Sequence, residues 1–141
     1  MSSGSGGRIA VHAFEDFLIG SIQVELSDAV AAQFRDDLLD AVHGSGARAV
    51  IIDASGLDVM DLHEFEHLRR TFRMAEIMGT RTFLVGLSPG IVAALVTMDA
   101  DTDGLETALS VEHAIDLLHA EEDSVSEARM STVAGEDDDV G

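Results

Sequence analysis

The order of apolar and polar positions divides the chain into short segments. Residues 9–14, IAVHAF, partly alternate; Glu15 and Asp16 break the pattern; residues 17–24, FLIGSIQV, are mostly apolar. This predicts an opening hairpin whose first strand lies at a sheet edge. Residues 28–43 carry a helical period. Ala31, Phe34, Leu38, Ala41 and Val42 share one face, with Val30 beside them, while Asp36, Asp37, Asp40 and His43 fall opposite. Ser27 suits the cap of this helix, and Gly44 and Gly46 suit its end. Residues 49–53, AVIID, are nearly all apolar, as in a strand buried on both faces. A second amphipathic helix starts near Asp61, and TFLVGL, residues 82–87, predicts another buried strand. Ser88-Pro89 places a cap before a proline at a first helical position. Residues 91–96 are apolar all round, which predicts a short, largely enclosed helix. DADTDG, residues 99–104, is a loop, and LETAL, residues 105–109, is a short last strand. Ser110 then caps a final helix with Val111, Ala114, Ile115 and Leu118 inward.

A hairpin followed by alternating helices and strands predicts an α/β fold: a single domain over residues 9–120, with a mixed sheet of four or five strands flanked by helices. No long internal repeat is visible. The start, MSSGSGGR, lacks an apolar signal-peptide core and predicts a flexible lead over residues 1–8. From residue 121 to 141 the periodicity fails, and eight acidic residues stand against one Arg. That composition predicts a disordered acidic tail.

Composition narrows the chemistry. The 141-residue chain is 46% hydrophobic, enough for one core, and it has no Cys for disulfides, thiolate metal sites or thiol nucleophiles. No apolar run reaches the roughly 18 residues a membrane span needs, so a cytoplasmic protein without membrane contact is expected. The net charge of −19 argues against nucleic-acid partners, because phosphate contacts need basic clusters. All eight basic residues are Arg, which fits either a salt-rich interior or a GC-rich genome. No P-loop or glycine-rich fingerprint follows a strand, and no cofactor is expected.

One motif invites an enzymatic reading. Residues 63–67, HEFEH, match the HExxH pattern of zinc peptidases, in which two His one turn apart hold the metal and a Glu activates water. At about 100° per residue, Leu62, Phe65, Leu68, Phe72 and Ala75 gather on one face, so His63 and His67 turn away from the core. No later Glu or His stands out as a third ligand, and no metal site is expected. Asp61 and Glu64 have a simpler explanation as the two halves of an acidic capping box. The sector holding His63, His67, Arg70, Met74, Ile77 and Met78 has the mixture of a protein contact surface. Asp53 and Asp58 flank the end of the AVIID strand, where α/β proteins carry functional loops, yet no acid, base and electrophile set accompanies them. Ser55 and Ser88 stand in loops after strands and are phosphorylation candidates; Ser124, Ser126, Ser131 and Thr132 in the tail are weaker ones.

The segments SIQVEL (21–26), AVIIDASGLDVMD (49–61), MGTRTFLVGLSPGIVAALV (78–96) and LETALSVEHAIDLL (105–118) resemble, in that order, the STAS family, and within it the RsbS-like subunits of bacterial stressosomes. The resemblance spans about residues 8–120. It implies a small mixed sheet with helices and no catalysis. It further implies partner contacts through the loop after the central strand and the helix that follows, here Asp58, Asp61, Leu62 and the outward face of that helix. The implied partners are RsbR-like STAS proteins and an RsbT-like switch kinase, in a homo- or hetero-oligomer. The kinase is sequestered until the scaffold is phosphorylated. In the family this loop ends in Asp-Ser, the Ser being the phosphoacceptor; here it ends in Asp61-Leu62, which has no hydroxyl. A second family site, in the turn after the next strand, falls at Val85-Gly86 and also lacks one. Three outcomes follow: constitutive partner binding, control moved to Ser55, Ser88 or the tail, or an assembly role without kinase sequestration.

Overall fold

The computed structural model describes residues 7–140, with side chains through residue 131. Its order is β1 (Val11–Phe14), β2 (Phe17–Ser21), α1 (Asp28–Ser45), β3 (Ala49–Asp53), α2 (Leu62–Ile77), β4 (Arg81–Val85), α3 (Pro89–Thr97), β5 (Glu106–Ala108) and α4 (Val111–Val140). The five strands form one sheet in chain order. β1 and β2 make the antiparallel hairpin, with Phe14 opposite Phe17; the other neighbours run parallel, with Ile51 opposite both Ile19 and Phe83. β4 and β5 pair from Phe83 opposite Glu106 to Val85 opposite Ala108.

The period of two along each strand sorts the core into two layers. Leu18, Val50, Ile52 and Leu84 face α1, α2 and α3, where Phe34, Leu38, Phe65, Leu68, Phe72, Ile91 and Leu95 close over them. Phe17, Ala49, Ile51, Phe83 and Val85 face the opposite way, onto Ala114 and Leu118 of α4. This two-sided cover is why AVIID and TFLV read as continuous apolar runs. It also places the loops that follow β2, β3 and β4 along one rim of the sheet. They are stitched by Ile22 N–H to Asp53 O (2.8 Å), Ala54 N–H to Val85 O (2.9 Å) and Gly86 N–H to Ala108 O (3.2 Å).

The helix caps anticipated from sequence form. The Ser27, Ser88 and Ser110 hydroxyls accept from Val30, Ile91 and His113 N–H at 3.2, 3.2 and 3.1 Å. Gly46 ends α1 in the left-handed conformation, with φ 64°.

Two expectations change, for α3 and for the tail. α3 is not enclosed: Ile91 and Leu95 are buried, but Val92 and Val96 are 45% and 73% exposed. A nine-residue helix at the end of a small sheet turns one face inward, and an all-apolar sequence leaves the other face apolar in solvent. Of the expected lead over residues 1–8, only Gly7 and Arg8 are described. Arg8 pairs with Asp37 at 2.8 Å, while residues 1–6 of that lead lie outside the described residues. The acidic tail is helical, α4 continuing through Val140. Its packed first turns supply the costly nucleus, from which Ala120, Glu121 and Glu122 extend the helix at little further cost. Arg81 binds Glu121, and Arg48 binds Glu122 at 3.3 Å, which aligns the first turn beyond residue 120. From residue 120 to 131 every side chain is exposed, so this stretch adds no core.

Candidate functional site

The rim at the start of α2 gathers most of the singled-out residues. Asp61 is extended (φ −88°, ψ 172°), and its carboxylate accepts Glu64 N–H at 2.8 Å. Glu64 answers through Oε1, which accepts Asp61 N–H at 2.9 Å, and its Oε2 accepts Leu26 N–H at 3.2 Å. Both Glu64 oxygens are thus committed to backbone, one within α2 and one across to the segment before α1. A zinc-peptidase Glu must instead face a metal-bound water. The HEFEH segment therefore has the sequence of that motif without its working geometry.

The two histidines do converge, on a residue the sequence did not single out. His63 Nε2 and His67 Nε2 lie 2.8 and 3.1 Å from Asp28 Oδ1, and 3.2 Å from one another. Their rings meet edge to face with centroids 4.5 Å apart. Asp28 opens α1, so the packing of α1 on α2 brings together positions 35 and 39 residues apart. Hydrogen bonds first from His63 and then from His67 hold the Asp28 carboxyl below its ordinary range. The cluster is superficial: the His63, His67 and Asp28 side chains are 67%, 25% and 78% exposed. Periodicity along one helix carries no signal for Asp28; its only hint was an acid in the first turn of a neighbouring amphipathic helix.

The loop between β3 and α2 is the other half of the rim. Asp53 Oδ1 accepts Ser55 N–H at 2.9 Å, and Leu57 N–H returns to Ala54 O at 3.1 Å, making a tight turn. Ser55, Asp58, Val59 and Asp61 are exposed, whereas Met60 is buried and anchors the loop. Val59, at 77% exposure, projects beside an open cleft of about 610 Å³ bordered by Gln23, Asp58, Asp61, Ala94 and Met98. Gly86 lies directly behind this turn with φ 75°. A Cβ there would meet Asp53 Oδ1 at 2.8 Å and Ser55 Cβ at 3.0 Å. The loops after β3 and β4 are therefore packed at van der Waals distance.

Other expected positions spread along α2. Leu62 is half-buried and lies outside the core cluster that contains Phe65, Leu68 and Phe72. Arg70 is exposed and lines a shallow crevice with Arg35 and His67; Met74 is half-buried, and Ile77 is 87% exposed. Ser55 has an exposed side chain, while the half-buried Ser88 hydroxyl is engaged as the α3 cap. The side chain of Thr132 lies outside the described residues. Sequence reasoning missed one apolar surface altogether. Val92 and Val96 of α3 and Leu109 after β5 border an open cavity of about 640 Å³. Its signal was the all-apolar α3 segment, which sequence alone read as interior. Among the described residues no helix is long and apolar enough to cross a membrane.

Comparison with known proteins gives this arrangement a context. RsbS from Moorella thermoacetica, in a form with serine changed to glutamate, aligns with TM-score 0.71 at 27% identity over 81% of this chain and 97% of that one. A chain from the molecular architecture of the stressosome, a signal integration and transduction hub, aligns with TM-score 0.71 at 28% identity over 80% and 98%. The Bacillus cell fate determinant SpoIIAA in its phosphorylated form shares the fold, with TM-score 0.58 and 19% identity over 78% and 98%. None of the curated proteins compared by sequence matches the chain. Residues 8–114 match the family model described as STAS domain, and with the mixed five-stranded sheet and its helices this establishes that the chain belongs to the STAS domain family.

Proposed function

We propose that this chain is a scaffold or antagonist subunit of a stressosome-type signalling complex in the cytoplasm, binding paralogous RsbR-like STAS proteins and retaining an RsbT-like switch kinase. STAS and anti-sigma factor antagonist domains are non-catalytic scaffolds. The observation that carries the finer reading is the 27–28% identity to RsbS and to a stressosome chain across nearly all of those chains. The rim geometry is compatible with it. An exposed loop with Val59 at its tip, anchored by Met60 and capped into α2 by Asp61, presents an apolar contact ringed by acids. We assign partner contact to Asp58, Asp61, Leu62, His63, His67, Arg70 and Met74.

The Leu62 position governs control. Its side chain carries neither a hydroxyl nor charge, so a kinase that modifies a serine at this loop in a sister scaffold cannot modify it here. The surface stays in its unmodified, apolar form, which favours constitutive retention of the partner. Ser55, exposed in the same loop, is an alternative acceptor, whereas the Ser88 hydroxyl is engaged as the α3 cap.

Mixing the purified chain with the RsbR-like and RsbT-like proteins of the same genome, at low and high salt, tests the assignment. Co-elution with both is expected, at high salt at least, because screening relieves the −19 charge. Co-elution with the STAS protein alone would leave an assembly module without kinase retention, and failure with both would reject the scaffold. Leu62→Ser is expected to gain one phosphate under the same kinase, read by intact mass. A protein that remains unmodified in that variant would show that Leu62 is not the acceptor position.

A further inference from the structure

The scaffold reading takes His63 and His67 only as surface contacts and gives Asp28 no role, and the geometry of the Asp28–His63–His67 cluster is hard to satisfy with hydrogen bonds alone. The three facing atoms form a triangle with edges of 2.8, 3.1 and 3.2 Å. A carboxylate oxygen brings no proton. If both rings donate to it, their two N–H groups crowd one another across the third edge. If one ring donates to the other, that edge is satisfied only by dividing a proton between two acceptors. One cation inside the triangle would accept a lone pair from all three atoms at once.

We propose that Asp28, His63 and His67 form a binding site for a transition-metal dication, with Zn2+ the best match, that clips the start of α1 to the start of α2. Two imidazole nitrogens and one carboxylate oxygen are a donor set suited to Zn2+. Zinc bonds to such atoms of about 2.0–2.1 Å put the corners of a tetrahedral face roughly 3.3 Å apart. Two edges of the observed triangle are within about 0.2 Å of that face, and the 2.8 Å edge is about 0.5 Å shorter. The fourth vertex opens to solvent, as the exposure of His63 and Asp28 requires. Among the described residues this is the one group of three His or acid side chains placed to hold a metal. The remaining histidines are committed or isolated from such a set: His113 Nδ1 accepts Leu109 N–H at 3.2 Å, and His119 pairs with Glu15 at 3.0 Å.

The site differs from the one that HEFEH suggests. Its third ligand precedes the motif and comes from another helix. Glu64, held by the backbone of Asp61 and Leu26, is not placed to activate water, so the metal would be structural. Its place matters mechanically. Asp28 follows the segment holding Gln23, Val24 and Glu25, which borders the cleft beneath Val59 and Asp61. A metal clip would brace that side of the rim from outside the cleft.

The test is calorimetric titration of the full chain with Zn2+ in excess Mg2+. Magnesium occupies surface carboxylates but competes poorly for imidazole. One equivalent of Zn2+ is expected to bind. Asp28→Asn, His63→Gln and His67→Gln should each weaken binding by about tenfold or more, on the scale of losing one ligand or its support. His43→Gln should leave it unchanged. Because the metal binds the folded state, Zn2+ should raise the melting temperature of the parent chain and lose that effect in the three variants. All three positions are solvent-accessible, and an unchanged circular dichroism spectrum verifies their folding. Zinc binding abolished by Mg2+, unaffected by either histidine change, or as tight in Asp28→Asn as in the parent would each overturn the three-ligand site.

Discussion

Gly86 shows how much one residue can decide at the rim. Its positive φ and the 2.8 Å approach to Asp53 Oδ1 exclude a side chain on two independent grounds. Gly86→Ala is therefore expected to lower stability by about 1–3 kcal/mol, read as a lower urea midpoint with unchanged slope. Asp53 is the sensitive neighbour, since the same oxygen holds the Ser55 turn. Glu64 is the second such residue. Glu64→Ala removes acceptors from two backbone N–H groups, and about 1–3 kcal/mol of destabilisation is expected in the same denaturation experiment. A smaller effect, within about 0.5 kcal/mol, would show that water replaces the carboxylate at both donors.

At the scale of elements, α4 separates into two parts. Residues 111–118 close the second core layer through Ala114 and Leu118. The helix beyond them exposes Val125 and Met130 and touches the body through Arg81–Glu121 and Arg48–Glu122. Surface ion pairs of this kind contribute about 0–1 kcal/mol each. A chain ending at residue 123 keeps both pairs and is expected to melt within the error of the full chain. A large drop in melting temperature on that truncation would show that the distal helix packs on something the isolated domain supplies. β3 behaves oppositely. Ile52→Ala opens a void between β3 and the helices above it, with an expected cost of about 2–5 kcal/mol in the urea midpoint.

Charge acts on the whole molecule. Asp16 lies below the ordinary carboxylate range through Arg48, Asp37 through Arg8, Asp101 through Arg73, Glu121 through Arg81, and Asp28 through its two histidines. Between those depressed values and the ordinary range the unfolded chain binds more protons than the folded one. Stability is therefore present above about pH 4 and lost as pH falls through the folded values. In the opposite sense, moderate acidification from pH 7 toward 5 reduces the −19 charge and its self-repulsion. Melting temperature is expected to hold or rise to about pH 5 and then fall steeply below about pH 4. At neutral pH, added salt should raise it, because few favourable ion pairs are screened against many repulsive ones. A melting temperature that falls with salt would mean that the Arg–carboxylate pairs outweigh the net repulsion.

What the sequence determined by itself was local. Chain-neighbour periodicity placed every strand and helix start within a few residues, and Asp61 with Glu64 announced the α2 capping box, because caps join residues three apart. The likeness to STAS domains was legible from ordered segments. Tertiary structure decided the rest. Which side of the all-apolar α3 faces solvent depends on where the small sheet ends, and the commitment of Glu64 to Leu26 depends on an approach across 38 residues. The meeting of Asp28 with His63 and His67 belongs to the same class. The angle and register of α1 against α2 come from Phe34, Leu38, Leu68 and Phe72 packing together, and no pattern within either helix specifies which surface side chains then touch.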